Sequence, residues 1–176
     1  MALPPKVRAK LEEWVNADLA LWRPLPGPQE RAYYSLADII GFGGAAGGGK
    51  TDLMCGMALT KHEQSLIVRL DGQQLFGVRE RVAQILGTGQ AGWNGQDRVW
   101  RHPNGVILMR GLPNVGDEKK LQGIPHGLKG FDEATEIREA HARFIMGWMR
   151  SADPKVKPQA LLTFNPPTTI EGRWVI

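Results

Sequence analysis

The chain of 176 residues is long enough for about one globular domain, and its 42% apolar and 23% charged residues exclude a disordered or fibrous protein. Its 22 Lys and Arg against 18 Asp and Glu leave a net charge of +4, which suits an anionic partner such as nucleic acid. No apolar run approaches the length of a membrane-spanning helix, and the single cysteine excludes an internal disulfide, as is typical of the reducing cytosol.

The first part of the chain predicts a helix, a turn and a strand. Apolar residues recur at helical spacing over residues 6–22, after two prolines. They are Val7, Leu11, Trp14, Val15, Leu19 and Trp22. The proline-rich stretch 23–29 predicts a turn, and residues 36–42 predict the first strand.

The stretch GGAAGGGKT at 43–51 follows that strand and precedes a second helix, whose apolar residues recur at helical spacing. From Gly44 to Thr51 it matches the phosphate-binding pattern G-x-x-x-x-G-K-[ST] without a gap. Glycines let the backbone direct several N–H groups at one anion, and the following helix adds the positive end of its dipole. The pattern predicts that Lys50 and the loop before it bind the phosphates of a nucleotide, and that the Thr51 hydroxyl binds Mg²⁺. The loop residues are Gly44, Ala45, Ala46, Gly47, Gly48 and Gly49. A glycine-rich turn that matches by chance is the alternative; the strand–loop–helix context favours the nucleotide site.

The rest of the chain alternates strands with helices. Apolar residues from Leu75 to Leu86 predict a helix that ends near Gly87, and a second helix is marked by apolar residues between Ile137 and Met149. The predicted strands are 65–70, 128–131 and 160–164, with a hairpin over 99–109 that turns at Pro103-Asn104-Gly105. The alternation indicates an α/β fold with a parallel sheet covered on both faces.

Two acidic residues follow the predicted strand LKGF. ATP hydrolysis by a phosphate-loop enzyme needs an acidic element that holds Mg²⁺ and orients a water. We assign Asp132 to the Mg²⁺ shell and Glu133 to polarising the attacking water as general base. The alternative is two carboxylates that merely favour the start of a helix. Lys129 and Gly130 interrupt the apolar pattern, so either the strand is short or Lys129 reaches out at an edge of the sheet.

The remaining aromatic and reactive side chains are expected to pack in the interior and not to form a further site. For Trp93 and Trp100 packing is favoured over stacking on nucleic-acid bases, and Cys55 is expected to be a packed thiol. The four histidines lack metal-ligand spacing.

Four stretches together resemble the large subunit of tailed-phage terminases, the ATP-driven motor that packs DNA into the procapsid. They are WRPLPGPQ, GFGGAAGGGKTDLMCGMAL, GFDEATEI and TFNPP, in that order along the chain. The resemblance implies a three-layer P-loop NTPase fold of the ASCE/RecA-like class, with a mainly parallel central sheet that is incomplete at the C-terminus. It also implies that residues 1–176 form one ATPase domain. Residues 1–30 would contain an N-terminal helix and the turn beside adenine, and residues 31–176 would form the ATPase core.

The resemblance also implies roles for individual residues. Gln29 matches the glutamine that contacts adenine; a turn residue after Pro28 is the alternative. Asp132 and Glu133 match the metal-binding and the catalytic acid of the family.

Thr163 and Asn165 match the coupling motif of the family, which senses the γ-phosphate and links hydrolysis to movement. For Asn165 the alternative is a turn before Pro166. A strand beside the phosphate-loop strand would place this hydroxyl and this amide near the γ-phosphate.

As such a motor, the chain would hydrolyse ATP with Mg²⁺ and translocate double-stranded phage DNA in a homo-oligomeric ring. The implied partners are the portal protein and the small terminase subunit. The implied location is the host cytoplasm, with transient docking on the procapsid. A helicase-like ATPase and a nucleotide-binding module without turnover are the alternatives.

Two departures from the family pattern affect the expected activity. Some terminases carry an arginine inside the phosphate loop, and none lies between Gly44 and Lys50. An arginine finger is therefore expected from a neighbouring subunit; the candidates are Arg69, Arg79, Arg101 and Arg110, together with the basic residues near Lys119 and Lys120. Because that arginine would come from a neighbour, we expect slow ATP turnover from this chain alone. The sequence also lacks the clustered acids of the family's C-terminal nuclease domain, so we expect no DNA cleavage.

Overall fold

The computed structural model describes residues 20–151 and 153–176. The predicted N-terminal helix over 6–22 therefore lies almost entirely outside the described residues. Its last three positions, 20–22, are irregular, so the helix does not extend to Trp22 as predicted.

Four α-helices lie within the described ranges: α1 Pro28–Tyr33, α2 Lys50–Thr60, α3 Phe76–Leu86 and α4 Glu139–Met146. Short 3-10 turns cover Gly72–Leu75, Asp117–Leu121, Ala134–Glu136 and Glu171–Val175. The turn predicted for 23–29 runs into α1, because Pro28 stands at the start of a helix, where its missing N–H costs nothing. α3 ends at Gly87 as predicted, with a left-handed φ of 65°.

One sheet contains the seven strands found in the described part of the chain. They are β1 Ile39–Gly43, β2 Gln64–Arg69, β3 Trp93–Asn94, β4 Val99–His102, β5 Gly105–Gly111, β6 Leu128–Phe131 and β7 Gln159–Phe164. Their order is β1-β7-β6-β2-β5-β4-β3. The first five are parallel, whereas the β4–β5 hairpin and β3 pair antiparallel. Because the carboxyl ends of parallel strands share one edge, the segments after β1, β2, β6 and β7 meet there.

Apolar side chains form a core on each face of the sheet. α2 and α3 pack on one face, where Val82 is fully buried, and α4 packs on the other through Ile145. Along β2, Ile67 belongs to the first core, whereas Leu66 and Val68 belong to the second. A strand buried on both sides is typical of a parallel sheet between two helical layers. The predicted three-layer architecture with a mainly parallel sheet is confirmed.

Strand β6 is four residues long and lies in the middle of the sheet, so of the two alternatives for Lys129 the short strand is found and the edge position is not. The Lys129 side chain is 1% exposed; its Nζ lies 2.9 Å from His126 Nδ1 and donates to the Ile124 carbonyl at 3.2 Å. Burial lowers the pKa of Lys129 to about 8. Gly130 admits α2, since a Cβ there would lie 2.9 Å from Met54 Sδ. The interrupted apolar pattern marks a short central strand.

The predicted packing of the two tryptophans and the cysteine is confirmed. Trp100 is fully buried, and the Trp93 ring lies against it with centroids 5.8 Å apart. Cys55 is fully buried, and burial raises the pKa of its thiol.

Among the helices of 20–151 and 153–176, none has both the length and the apolar character needed to cross a membrane.

Candidate functional site

The predicted phosphate-binding loop connects β1 to α2, as the strand–loop–helix pattern indicated. Gly47 and Gly49 adopt φ values of 80° and 72°, a left-handed backbone that glycine takes without strain. The Gly44 N–H donates to the Phe164 carbonyl at the end of β7, at 3.1 Å. α2 begins at Lys50, and the first N–H groups of any helix have no partner within it. The loop is thus anchored on β7 and continues into a helix start that favours an anion.

The Lys50 side chain lies back across the loop. Its Nζ donates to the carbonyls of Gly44 and Ala45, at 2.9 and 2.8 Å, and to Asn165 Oδ1 at 2.9 Å. An ammonium group has three N–H donors, so all of them are in use. Phosphate oxygens at the loop would compete with these neutral acceptors for the same donors.

Strand β7 lies between β1 and β6, and residues at its end contact both acidic residues. Thr163 Oγ1 donates to Asp132 Oδ1 at 2.9 Å, and Asn165 Nδ2 donates to Glu133 Oε2 at 3.1 Å. The strand predicted beside the phosphate-loop strand is therefore found there. Since Asn165 also accepts from Lys50, one amide links the loop lysine to Glu133.

The two acidic residues differ in their surroundings. Asp132 is 2% exposed, and its Oδ2 accepts no hydrogen bond from the residues that the structure describes. Glu133 is half-buried and adopts a left-handed φ of 50°. That conformation is uncommon outside glycine and typically persists where a function needs it.

Asp132 and Thr51 line one cavity of about 320 Å³, between the start of α2, one side of α3 and the ends of β2 and β6. The other lining residues are Asp52, Arg69, Gly77, Val78, Glu80, Arg81 and Gln84. A buried carboxylate oxygen without a hydrogen bond, across a cavity from a hydroxyl, fits a hard cation such as Mg²⁺. Within the described ranges no cluster of three His, Cys, Asp or Glu could hold a metal alone. Mg²⁺ typically takes one or two protein ligands and completes its shell with phosphate oxygens and waters.

Gln29 is buried against the phosphate-binding loop. Its Nε2 donates to the Gly49 carbonyl at 3.0 Å and to Asp52 Oδ2 at 3.1 Å, while its Oε1 accepts from the Leu25 N–H. The amide therefore holds the start of α2. Its predicted contact with adenine stays a prediction.

Asp52 is a site residue that sequence reasoning missed. Besides Gln29, its carboxylate accepts from Trp22 Nε1 at 3.1 Å and from Arg81 Nε at 2.8 Å. It connects the segment before α1, the phosphate-binding helix and α3. Its one local signal is an acidic residue in the first turn of a helix, which is too common to single out.

Of the basic residues named as arginine-finger candidates, Arg69 lines the cavity that holds Asp132 and Thr51. Arg110 instead donates to carbonyls of its own hairpin region, including Asp97 at 2.8 Å. The Arg79 guanidinium lies over the rings of Phe76 and Trp93, at 4.8 and 5.5 Å.

The sequence matches no protein-family model and no curated protein. Solved structures of phage large terminases are similar to it in fold. The ATPase domain of the large terminase of Thermus phage P74-26 has a TM-score of 0.55 at 18% identity, over 90% of this chain and 70% of that one. The large terminase of bacteriophage HK97 has a TM-score of 0.52 at 15% identity, over 81% of this chain and 33% of that one. A large terminase from another thermophilic bacteriophage, in complex with ADP, has a TM-score of 0.53 at 17% identity, over 81% and 38%.

These matches cover unequal shares of the proteins concerned. The chain spans 33% of the HK97 terminase and 38% of the ADP-bound terminase, but 70% of the P74-26 ATPase domain. At these low identities the likeness is one of fold, and it agrees with the parallel sheet and with the loop between β1 and α2. The chain thus has the fold that these large-terminase structures share over the matched part.

Proposed function

We propose that this chain is the ATPase domain of a phage terminase large subunit, which hydrolyses ATP with Mg²⁺ to power translocation of double-stranded DNA into the procapsid. The observation that carries the proposal is the Asn165 amide, whose Oδ1 lies 2.9 Å from Lys50 Nζ and whose Nδ2 lies 3.1 Å from Glu133 Oε2. One side chain joins the residue assigned to the phosphates with the residue assigned to the water. This contact supports interpreting the loop and the acidic pair as parts of one site.

The phosphate-binding loop and Lys50 would bind the β- and γ-phosphates through backbone N–H groups and one ammonium. Thr51 and Asp132 would hold Mg²⁺, with Asp132 Oδ2 as the metal-binding oxygen because it accepts no hydrogen bond from the described residues. Bound Mg²⁺ would neutralise charge on the transferred phosphoryl group. The adenine role of Gln29 and the γ-phosphate sensing by Thr163 and Asn165 belong to the same proposal.

Glu133 would act on the attacking water. The water oxygen bonds to the γ-phosphorus while the bond from that phosphorus to the β–γ bridging oxygen breaks, and Glu133 accepts the proton of the water. Asn165 Nδ2 holds the Glu133 carboxylate. A bound phosphate would draw Lys50 away from Asn165 Oδ1, and the amide would then be free to reorient. Because the same amide holds the Glu133 carboxylate, nucleotide binding would be coupled to the orientation of Glu133.

The wider assignment rests on the resemblance and on the fold. One phage terminase of the same fold is known in complex with ADP, which supports nucleotide binding here. The net charge of +4 suits a DNA partner. We extend the proposal to a homo-oligomeric ring that works in the host cytoplasm, with the portal protein and the small terminase subunit as partners.

Binding and chemistry are separated by two variants of the whole chain. Lys50→Ala should weaken ADP binding about tenfold or more, since a hydrogen bond to a charged group contributes about 1.5–3 kcal/mol. Glu133→Gln should bind as the wild type but lose turnover by about 10²–10⁴, the usual share of a general base. Calorimetric titration and phosphate release measure the two effects. Lys61→Ala is the matched control, because Lys61 follows the far end of α2 and its Nζ donates to Tyr33 O at 2.8 Å.

Several outcomes would count against the proposal. Unchanged affinity in Lys50→Ala would remove the nucleotide site. Normal turnover in Glu133→Gln together with lost turnover in Asp132→Asn would reverse the two acidic roles. Wild-type binding without turnover at any chain concentration would favour a nucleotide-binding module, and turnover that duplex DNA never changes would argue against a DNA-translocating motor.

A further inference from the structure

We propose that Arg69 competes with Mg²⁺ for the Asp132 carboxylate, so that the metal has to displace the Arg69 guanidinium when it binds. The inference rests on the proposed function, because it takes Asp132 as the metal ligand. It makes Arg69 a positioning residue in the site of its own subunit, distinct from a finger that reaches a neighbouring subunit.

The two side chains come from adjacent strand ends. Arg69 is the last residue of β2, and Asp132 directly follows β6. The strands pair in parallel with Val68 opposite Phe131, and the Asp132 N–H donates to the Val68 carbonyl at 2.9 Å. Both residues line the cavity that also contains Thr51. The sheet itself therefore holds the guanidinium beside the carboxylate.

The contact uses the oxygen that a metal would need. Thr163 already donates to Asp132 Oδ1, at 2.9 Å, while Arg69 Nη1 lies 3.4 Å from Oδ2. This distance is long for a charge-assisted hydrogen bond, which typically measures about 2.7–2.9 Å. Within the described residues, Oδ2 accepts no hydrogen bond and the buried Arg69 Nε donates none. Arg69 and Asp132 thus form an ion pair without a hydrogen bond. Asp132 keeps an unused acceptor oxygen, and Arg69 keeps an unused N–H donor.

Electrostatics explains why such a pair would be exchanged. Asp132 is 2% exposed, and a buried carboxylate without a cation is costly. Arg69, which is 21% exposed, offsets that cost from the cavity wall. A Mg²⁺ ion approaches an oxygen to about 2.0–2.1 Å and carries twice the charge of a guanidinium. It would therefore bind the same oxygen more strongly than Arg69 does. Two cations beside one carboxylate repel each other, and Arg69 then has to withdraw.

The withdrawal has a defined direction. Arg69 Nη1 also donates to the Gln74 carbonyl at 3.3 Å, in the 3-10 turn Gly72–Leu75. This turn leads directly into α3. Metal binding would thereby be linked to the segment that positions α3, through one guanidinium.

The first part of the experiment needs neither metal nor nucleotide. Thermal unfolding in EDTA is measured for the wild type, Arg69→Met, Asp132→Asn and the double variant. Arg69→Met should lower the melting temperature by about 2–4 °C, the shift for a loss of roughly one ion pair in a chain of this size. The double variant should lose clearly less than the sum of the single losses. Additive losses would overturn the pairing on which the competition depends.

The second part measures the competition itself. At a fixed saturating ADP concentration, the Mg²⁺ concentration for half-maximal thermal stabilisation should fall about fivefold in Arg69→Met, as expected when a contact of roughly 1 kcal/mol no longer opposes the metal. Arg69→Lys keeps the charge and should restore most of the wild-type value. Arg81→Met is the matched control, because Arg81 lines the same cavity but pairs with Asp52.

The outcomes separate the two proposals. An unchanged or higher Mg²⁺ midpoint in Arg69→Met, or an equal fall in Arg81→Met, would overturn the competition while the nucleotide site stands. A wild-type chain that Mg²⁺ and ADP do not stabilise would overturn the proposed function and the competition together.

Discussion

At the scale of the residue, the Asn165 side chain is suited to its position because an amide has an acceptor and a donor on one carbon. Oδ1 faces the Lys50 ammonium and Nδ2 faces the Glu133 carboxylate. An aspartate would lose the donor, and a hydrophobic residue would lose both groups. The chemistry of this position therefore depends on the amide, whereas a turn before Pro166 alone would accept several other residues.

Asn165→Ala should lower kcat and leave nucleotide affinity nearly unchanged. We expect a fall of about ten to a hundredfold, because the base is retained but no longer held, and a base contributes about 10²–10⁴ in total. Steady-state phosphate release gives kcat, and calorimetry gives the ADP affinity. Asn104→Ala is the control, since Asn104 lies in the hairpin turn and its amide donates to the Leu59 carbonyl at 3.1 Å. A variant with full turnover would show that the amide link has no catalytic importance.

At the scale of the element, α2 packs on β6 through a close approach that only a missing side chain permits. A Cβ on Gly130 would meet Met54 Sδ at 2.9 Å and Met54 Cγ at 3.2 Å. Met54 is fully buried, so its movement would disturb other core contacts. This approach brings α2 onto β6, which Asp132 directly follows. Packing between these two elements thus helps to set the geometry of the site.

Gly130→Ala should lower the free energy of unfolding by about 1–2 kcal/mol, as an added methyl group does in a filled core. Gly77→Ala is the matched control, because a Cβ there meets nothing within 4 Å and Gly77 lies in α3. That control should gain about 0.5 kcal/mol from helix propensity. Urea denaturation measures both changes. Equal stability of Gly130→Ala and the wild type would mean that Met54 repacks freely.

At the scale of the whole molecule, two buried histidines lie at the amino ends of the parallel strands, whereas the candidate site lies at the carboxyl ends. His62 precedes β2 and His126 precedes β6, at the amino ends of two adjacent strands. Burial lowers the pKa of each imidazole to about 4, and the positive charges of Lys61 and Lys129 contribute to the same shift. Both rings are therefore neutral in the folded chain at pH values at which the unfolded chain binds protons.

Stability should fall as the pH drops from about 6.5 to about 4. In this window the unfolded state protonates each histidine and the folded state does not, so protons favour unfolding. Each ring lowers the free energy of unfolding by about 3 kcal/mol at most, because its pKa is about 6.5 in the unfolded chain and about 4 in the folded chain. His62→Leu should show a smaller loss than the wild type over this window, and the same pH dependence as the wild type above pH 7.5. Urea denaturation across the pH range tests this, and an unchanged acid loss in His62→Leu would contradict it.

The sequence by itself determined the parts of the site that lie within one stretch of chain. The loop from Gly44 to Thr51 and the acids after LKGF were predictable, because a motif with its flanking strand and helix depends on neighbouring residues. Helix α3 up to Gly87 and the β4–β5 hairpin were predicted for the same reason. Resemblance to a family singled out Thr163 and Asn165, which spacing alone does not distinguish from a turn, and their coupling role stays a prediction.

The tertiary structure alone decided which of these parts meet. Asn165 reaches Lys50 across 115 positions because β7 is inserted between β1 and β6, and hydrophobic periodicity does not encode strand order. The same order places Lys129 in the centre of the sheet, where the sequence left a short strand and an edge position open. The pairing of β2 with β6 puts Arg69 beside Asp132. Local patterns specify the elements and the chemistry that they carry, whereas contacts between strand ends exist only once the whole sheet has formed.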